Sequence, residues 1–371
     1  MESLRLLMDA AVSQAVGNSE IELIIGNSKN NFSGITSTML QVVSYQKDMI
    51  PLRVMGKNNL TDSSLAISFW QVVKMCQQPL SNGKCRIFHA RRVDEMIQGV
   101  LLKYCFRAKI KLVFSSAAQR KRAKFTSWLT RRMDAVIAMS KASANFLEKP
   151  PTAIIYHGIN TNTYITSGDK QKSWQSLNLL APTQVKGKYG IAILGRVRKQ
   201  KGVHLFVQSC IELLDDYPDY TAVIVGGVTA KHKKFEQTLR NNIDGAGMSD
   251  RIIFMGQQNF SDIPKIFSSL SLVVALSENE GFGLTVLEAM SSSAAVLATN
   301  AGAWPEIIRQ GVDGYVVPVN DLAAVKSKMA LLLENETKLA QMGSSGRQRV
   351  EALYSVEREA TELTTLFRTL M

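Results

Sequence analysis

Residues 272–290 read LVVALSENEGFGLTVLEAM. Leu272 to Leu276 run without the polar alternation of a half-solvated strand, which marks a strand buried on both faces of its sheet. Ser277 to Glu280 and the Gly281-Phe282-Gly283 triplet then break the strand, and Leu284 to Met290 resumes at helical spacing. A doubly buried strand handed directly to a helix is a unit of a parallel sheet flanked by helices. The alternation extends in both directions. Downstream and just upstream, Ile191–Gly195, Thr221–Val225, Arg251–Met255, Ser271–Ser277, Ala294–Thr299 and Gly314–Val317 read as strands. In the other half they are Ile21–Ile25, Pro51–Met55, Cys85–Ala90, Ile110–Ser115, Asp134–Met139 and Thr152–Tyr156. Helical patterns lie between them, among them Ser63–Met75, Val93–Tyr104 and Lys124–Met133.

Six strands in each half predict two Rossmann-like, doubly wound α/β domains facing a shared cleft. The expected boundaries are 1–183 for the first and 184–354 for the second. Asn160–Lys188, rich in Thr, Ser, Gly and Pro and without periodicity, reads as the linker. Residues 355–371 form a helix beyond the last strand, free to pack back on the N-terminal domain. Ligands of such sheets bind outside the carboxyl ends of the strands, so the chemistry is expected in the loops that follow them.

The 371 residues are 46% hydrophobic and 20% charged, which excludes a disordered or fibrous chain. Four widely spaced cysteines exclude a disulfide scaffold and a zinc ribbon. No run reaches the roughly 18 apolar residues of a membrane span. The first 20 residues carry Glu2, Arg5 and Asp9 and read as a short amphipathic helix, not a signal peptide. A cytoplasmic location is expected, with any membrane contact peripheral. Fourteen basic and four acidic residues between Arg91 and Lys149 supply +10 of the net +13. An anionic partner on the N-terminal half follows from that concentration.

In the loop after Leu276, two glycines bracketing Phe282 let backbone approach a ligand. The free N–H groups at the helix start, Gly283 to Thr285, form an anion site. Glu280 and Glu288 flank it, a pattern that fits phosphate between two sets of hydroxyls, as in a nucleotide-sugar. Ile191–Gly195 runs into Arg196, Arg198, Lys199 and Lys201, closed by Gly202. Arg196 and Lys201 suit a buried pyrophosphate. The stretch is neither G-x-G-x-x-G nor a Walker A loop, so a nicotinamide dehydrogenase or an ATPase is unsupported.

Gly-Arg…Lys-Gly followed by E-G-F-G-x-x-x-x-E resembles the retaining glycosyltransferases of family 4, which have the GT-B fold; Ala301–Ile308 is similar to that family's next block. Phe88–Arg92, Phe114–Arg120 and Tyr156–Asn160 look similar to bacterial lipopolysaccharide core mannosyltransferases. The resemblance implies a donor site of Ser33, Gly34, Gly195, Arg196, Lys201, Glu280, Gly281, Phe282, Gly283, Leu284, Thr285 and Glu288. Ser33 and Gly34 belong to the loop Gly26–Thr38 after the first strand. It implies catalytic roles for His89, Glu280, Arg196 and Lys201, with His89 ending its strand at the cleft. It further implies GDP-mannose as donor and an inner-core acceptor such as Kdo-lipid A.

Absence of an Asp-x-Asp pair in any strand-end loop, and of metal-ligand spacing among His, Cys and carboxylates, makes metal independence the expectation. The run Arg120, Lys121, Arg122, Lys124, with Arg91 and Arg92, reads as facing the acceptor or the anionic inner leaflet. Nucleic acid is not expected, because aromatic residues do not interleave with the basic ones as a stacking platform requires. The alternatives are a sugar-nucleotide epimerase of the same fold and a basic nucleic-acid-binding protein.

Overall fold

The computed structural model describes residues 20–31, 33–177 and 186–371. The amphipathic segment read from the first 20 residues, apart from Glu20, and the 183/184 boundary lie outside them. Two compact units are formed. One is the chain up to His157 together with Val356–Met371, and the other is Gly158–Ser355.

The first unit is built on seven parallel strands: β1 Leu23–Gly26, β2 Leu52–Met55, β3 Ala66–Ile67, β4 Arg86–Ala90, β5 Ile110–Ser116, β6 Ala135–Ala138 and β7 Ala153–Ile154. Their order is β3-β2-β1-β4-β5-β6-β7. Ile24, Phe88, Ala90, Leu112 and Phe114 point to one side of the sheet and join one hydrophobic cluster with Val72, Val73, Met96, Leu102 and Leu129 from the helices above. The helices Gly34–Gln46 and Val356–Leu370 pack against each other. There Gln46 Nε2 donates to Thr364 Oγ1 at 3.3 Å and Arg368 Nη2 to the Met49 carbonyl at 2.6 Å.

The second unit has six parallel strands: β8 Tyr189–Leu194, β9 Tyr220–Val225, β10 Ile252–Gly256, β11 Leu270–Ala275, β12 Ala295–Thr299 and β13 Gly314–Val317. The order is β10-β9-β8-β11-β12-β13. β11 is buried along its whole length, as its apolar run requires. The direction of winding reverses between β1 and β4 in one sheet and between β8 and β11 in the other, the two positions where such sheets bind ligands.

Three local readings are corrected. Ser63–Met75 is not one helix: a helical turn at Ser63–Leu65 and strand β3 precede the helix Phe69–Met75. Ser68 and Gln71 cap each other's backbone N–H groups and fix that start. The helix from Val93 is α-helical only to Val100 and continues as a π-type turn, Leu101–Cys105. The presumed linker carries a helix, Lys170–Ser176, docked on the second sheet. Trp174 is fully buried and donates to the Lys186 carbonyl at 3.2 Å. Lys170 Nζ reaches the carbonyls of Leu270 (2.7 Å), Ser292 (2.9 Å) and Ser268 (3.3 Å). Seven residues held by two anchors leave no periodicity to read.

Candidate active site

In the second unit the loops after β8 and β11 lie against each other. Gly202, at φ +70°, closes the basic turn; a Cβ there would stand 2.3 Å from the Leu276 carbonyl oxygen, so no other residue fits without moving β11's exit. Glu278 N donates to the Gln200 carbonyl at 2.9 Å, and Gln200 Nε2 to the Asn279 carbonyl at 3.2 Å. At the centre Lys201 Nζ meets Glu280 Oε2 at 2.5 Å, with each side chain about one-fifth exposed. Ser277 Oγ donates to the same carboxylate at 3.2 Å. Arg196 is exposed, next to Gly195 at the exit of β8.

The turn into the next helix is held from behind. Phe282 is 5% exposed and therefore packs inward. Gly283, at φ +84°, takes the N-cap position of helix Leu284–Ser291, and its carbonyl accepts from Trp304 Nε1 at 2.9 Å. Leu284 and Thr285 thus begin a helix with no side-chain cap, which leaves first-turn N–H groups facing outward for an anion. Glu288 lies in the second turn. Tyr164, 3% exposed, donates its hydroxyl to Glu288 Oε1 at 2.9 Å. Burial pushes the Glu288 carboxyl up to about 7, and the Tyr164 hydrogen bond pulls the other way. Tyr164 is itself fixed: its ring meets Phe267 edge-on, and its carbonyl accepts from Arg347 Nη1 at 2.7 Å and Ser291 Oγ at 2.7 Å.

The first unit brings its predicted residues together differently. His89 is not the last residue of β4 but the one before it. It is fully buried, with Nε2 2.7 Å from Ser115 Oγ and its ring edge-on to Phe367 at 5.0 Å. Burial, then the nearby Arg91 and His157 charges, hold its imidazole well below the usual histidine range, so it is neutral. Arg92 is committed to the loop after β1: its Nη2 donates to Thr36 Oγ1 (2.9 Å) and Ser33 Oγ (3.2 Å), and its Nη1 pairs with Glu95 (2.9 Å). Ser33 caps the helix Gly34–Gln46, and Gly34 is exposed at its start. Arg91 buries both terminal nitrogens without a hydrogen-bond partner among the described residues, and burial draws its guanidinium below the usual value. Arg122 is likewise internal, bonded to Ser116 and Thr130 with its guanidinium 5.1 Å over Phe114. Arg120, Lys121 and Lys124 are exposed; the first two precede the helix Lys124–Thr130 and are not on it.

Two organising residues escaped the sequence reading. Fully buried Glu95 accepts from the backbone N–H groups of Arg91 (2.7 Å) and Arg92 (3.1 Å) while pairing with Arg92. An acidic residue three positions into a helix that follows a strand was its available signal. Tyr164 had none, since its partner is 124 residues away. Among the described residues no group of three or more His, Cys, Asp or Glu is placed to hold a metal ion.

Two parallel-sheet units, the second with a basic turn and a glutamate-flanked helix start at its winding reversal, have the two-Rossmann architecture of a glycosyltransferase. A family model, "Glycosyl transferases group 1", matches residues 181–349. The chain is 38% identical over 353 residues to the lipopolysaccharide core biosynthesis mannosyltransferase LpcC of Rhizobium leguminosarum bv. viciae, covering 95% of this chain and 97% of that one. The solved C-terminal domain of LpcC from Francisella tularensis, a group 1 family glycosyl transferase, is 36% identical with a TM-score of 0.50, covering 53% of this chain and 99% of that one. Anabaena HepE, solved with UDP and glucose, shares the fold at 19% identity and TM-score 0.74, covering 94% of this chain and all of that one. The chain belongs to the group 1 glycosyltransferases and has the GT-B fold.

Proposed function

We propose that the chain is a family 4, retaining glycosyltransferase that moves a hexose, mannose from GDP-mannose, onto the lipopolysaccharide inner core or a related lipid-linked glycan. The observation that carries the reading is the Lys201–Glu280 contact, which draws the basic turn and the glutamate loop to one point at the winding reversal. Donor phosphates lie at Arg196, Lys201 and the helix start after Gly283; Glu280 takes hydroxyls of the transferred sugar and Glu288 those of the ribose. As the bond from the sugar's anomeric carbon to the diphosphate oxygen breaks, charge gathers on the departing nucleoside diphosphate. The helix start is in place to meet that charge and Arg196 and Lys201 stand beside it, so the stabilisation is electrostatic. The acceptor hydroxyl oxygen forms the new bond to that carbon, and its proton passes to the departing diphosphate oxygen. Lys201 exchanges Glu280 for phosphate when donor binds, and this frees Glu280 for the sugar.

The names of the relatives and the basic first unit support a lipid-linked acceptor, Kdo-lipid A in our reading, met at the anionic face of the inner membrane. No helix among the described residues is long and apolar enough to cross it. Arg91, whose two buried terminal nitrogens have no hydrogen-bond partner among the described residues although Glu359 and Glu95 lie near enough to act on its charge, is the residue we assign to an anionic group of the acceptor.

Calorimetry with GDP-mannose and UDP-glucose tests the donor site. Lys201→Ala and Glu288→Ala each weaken binding at least about tenfold, the loss of one charge-assisted contact, while the circular dichroism spectrum is retained. Unchanged affinity in both variants removes the site assignment. Release of an isomerised nucleotide-sugar without acceptor would replace transfer with epimerisation.

A further inference from the structure

We propose that the outer face of the helices over one side of the first sheet docks on an anionic bilayer, with Trp70, Tyr104, Phe125 and Trp128 seated among the headgroups. The proposal rests on the peripheral-membrane reading above and adds the side chains that make the contact. Three elements form this face: Phe69–Met75, Val93–Val100 with its π-type turn to Cys105, and Lys124–Thr130. Their inward residues, among them Val72, Met96, Leu102 and Leu129, share one core cluster, so their outer sides look the same way from the sheet.

Those outer sides are not what a water-facing surface needs. Trp70 is 67% exposed, Tyr104 and Phe125 55%, Trp128 42% and Leu101 41%. Of the six exposed aromatic residues among those described, four lie here, whereas the second unit exposes only Phe260. Exposed rings gathered on one side of a sheet mark an interaction surface. Tryptophan and tyrosine, apolar with one polar edge, favour the boundary between headgroups and acyl chains.

Charge and ring geometry select the occupant. Lys74, Arg107, Arg120, Lys121 and Lys124 are exposed on or beside these helices. The nearby acidic groups are already matched, Asp134 by Lys103 at 2.6 Å and Glu148 by Arg131 at 3.2 Å. A second copy of the chain would meet this cationic rim with its own, whereas an anionic lipid surface attracts it. Single-stranded nucleic acid needs open ring faces for its bases. On the helix Lys124–Thr130 part of that surface is taken: Phe125 and Trp128 stack on each other at 5.9 Å and 14°, and Arg132 lies 3.9 Å over the Trp128 ring. Trp70 meets Phe69 and Phe106 edge to face at 5.6 and 5.5 Å. What stays exposed suits hydrocarbon better than stacked bases. This corrects the expectation from sequence that aromatic and basic residues do not interleave.

The chain carries its own reporter. Of its four tryptophans, Trp174 and Trp304 are buried, so a vesicle-dependent emission change comes from Trp70 and Trp128. Phosphatidylethanolamine–phosphatidylglycerol vesicles shift the emission to the blue and co-sediment the protein; phosphatidylcholine vesicles do neither. The variant Trp70→Ser/Trp128→Ser loses the shift and binds the anionic vesicles at least about tenfold more weakly, with its circular dichroism spectrum and thermal unfolding intact as the check on folding. If this variant binds as the unaltered chain does, the proposal is overturned while the peripheral reading stands. If the unaltered chain ignores anionic vesicles, both fall. A blue or quenched emission produced by an oligonucleotide and not by vesicles would assign the face to nucleic acid and overturn the proposal.

Discussion

Replacing Glu288 by glutamine should make the second unit more stable, and only above acidic pH. Burial raises the Glu288 carboxyl from 4.5 to about 7. Between those values the folded chain keeps a proton that the unfolded chain gives up, so the stability contributed by this group is full below about 4.5. It drains away as pH rises and is gone once pH passes about 7. The gap corresponds to at most about 3 kcal/mol at 1.36 kcal/mol per decade of proton affinity. Glutamine does not titrate, and its carbonyl oxygen can still accept the 2.9 Å hydrogen bond from Tyr164. Glu288→Gln is therefore expected to match the unaltered chain at pH 4.5 and to exceed it by up to about 3 kcal/mol at pH 8. Lys170, whose ammonium burial draws down to about 7, titrates in the same range but is present in both chains and cancels from the difference. Urea unfolding from pH 4.5 to 8.5, read as the change in midpoint at constant slope, measures it. A pH-independent difference, or a variant less stable at pH 8, would refute the reasoning. The stability given up at neutral pH by keeping a carboxylate here is what a site retained for binding shows.

Two further outcomes follow from contacts described above. Lys170→Met leaves three carbonyls without their donor and should cost about 1–3 kcal/mol in the same unfolding assay at pH 6; no loss would mean that water replaces the ammonium. Gly202→Ala combines a left-handed φ of +70° with a Cβ 2.3 Å from the Leu276 oxygen, and should lower the thermal midpoint and donor affinity together. A midpoint within a degree of the unaltered chain would show that the turn relaxes freely.

Much of this molecule could be read from its residues because parallel sheets announce themselves through apolar runs. Gly314–Val317 has the bounds read from the sequence, and β11 was found from the apolar run Leu272–Leu276. The loops after β8 and β11 could be named as partners because their glycines and charges are local features. What the residues did not disclose was set by contacts distant in the chain. β3 is two residues long and gains its identity from pairing with β2. The helix Lys170–Ser176 exists because Lys170 and Trp174 find a sheet to hold them. Arg92 and Arg122 read as surface charge although their partners are local, Glu95 three residues on and Ser116 and Thr130 within eight, because sequence spacing does not show which way a side chain turns.

The first unit borrows its last helix from the far end of the sequence. Phe367 covers His89, and Thr364 accepts from Gln46, 318 residues earlier. During synthesis the opening half of the protein must therefore wait, with that flank of its sheet uncovered, until the entire second unit has emerged from the ribosome. Its completion is timed by the arrival of Val356–Leu370, so damage to that helix strikes first at the amino-terminal half.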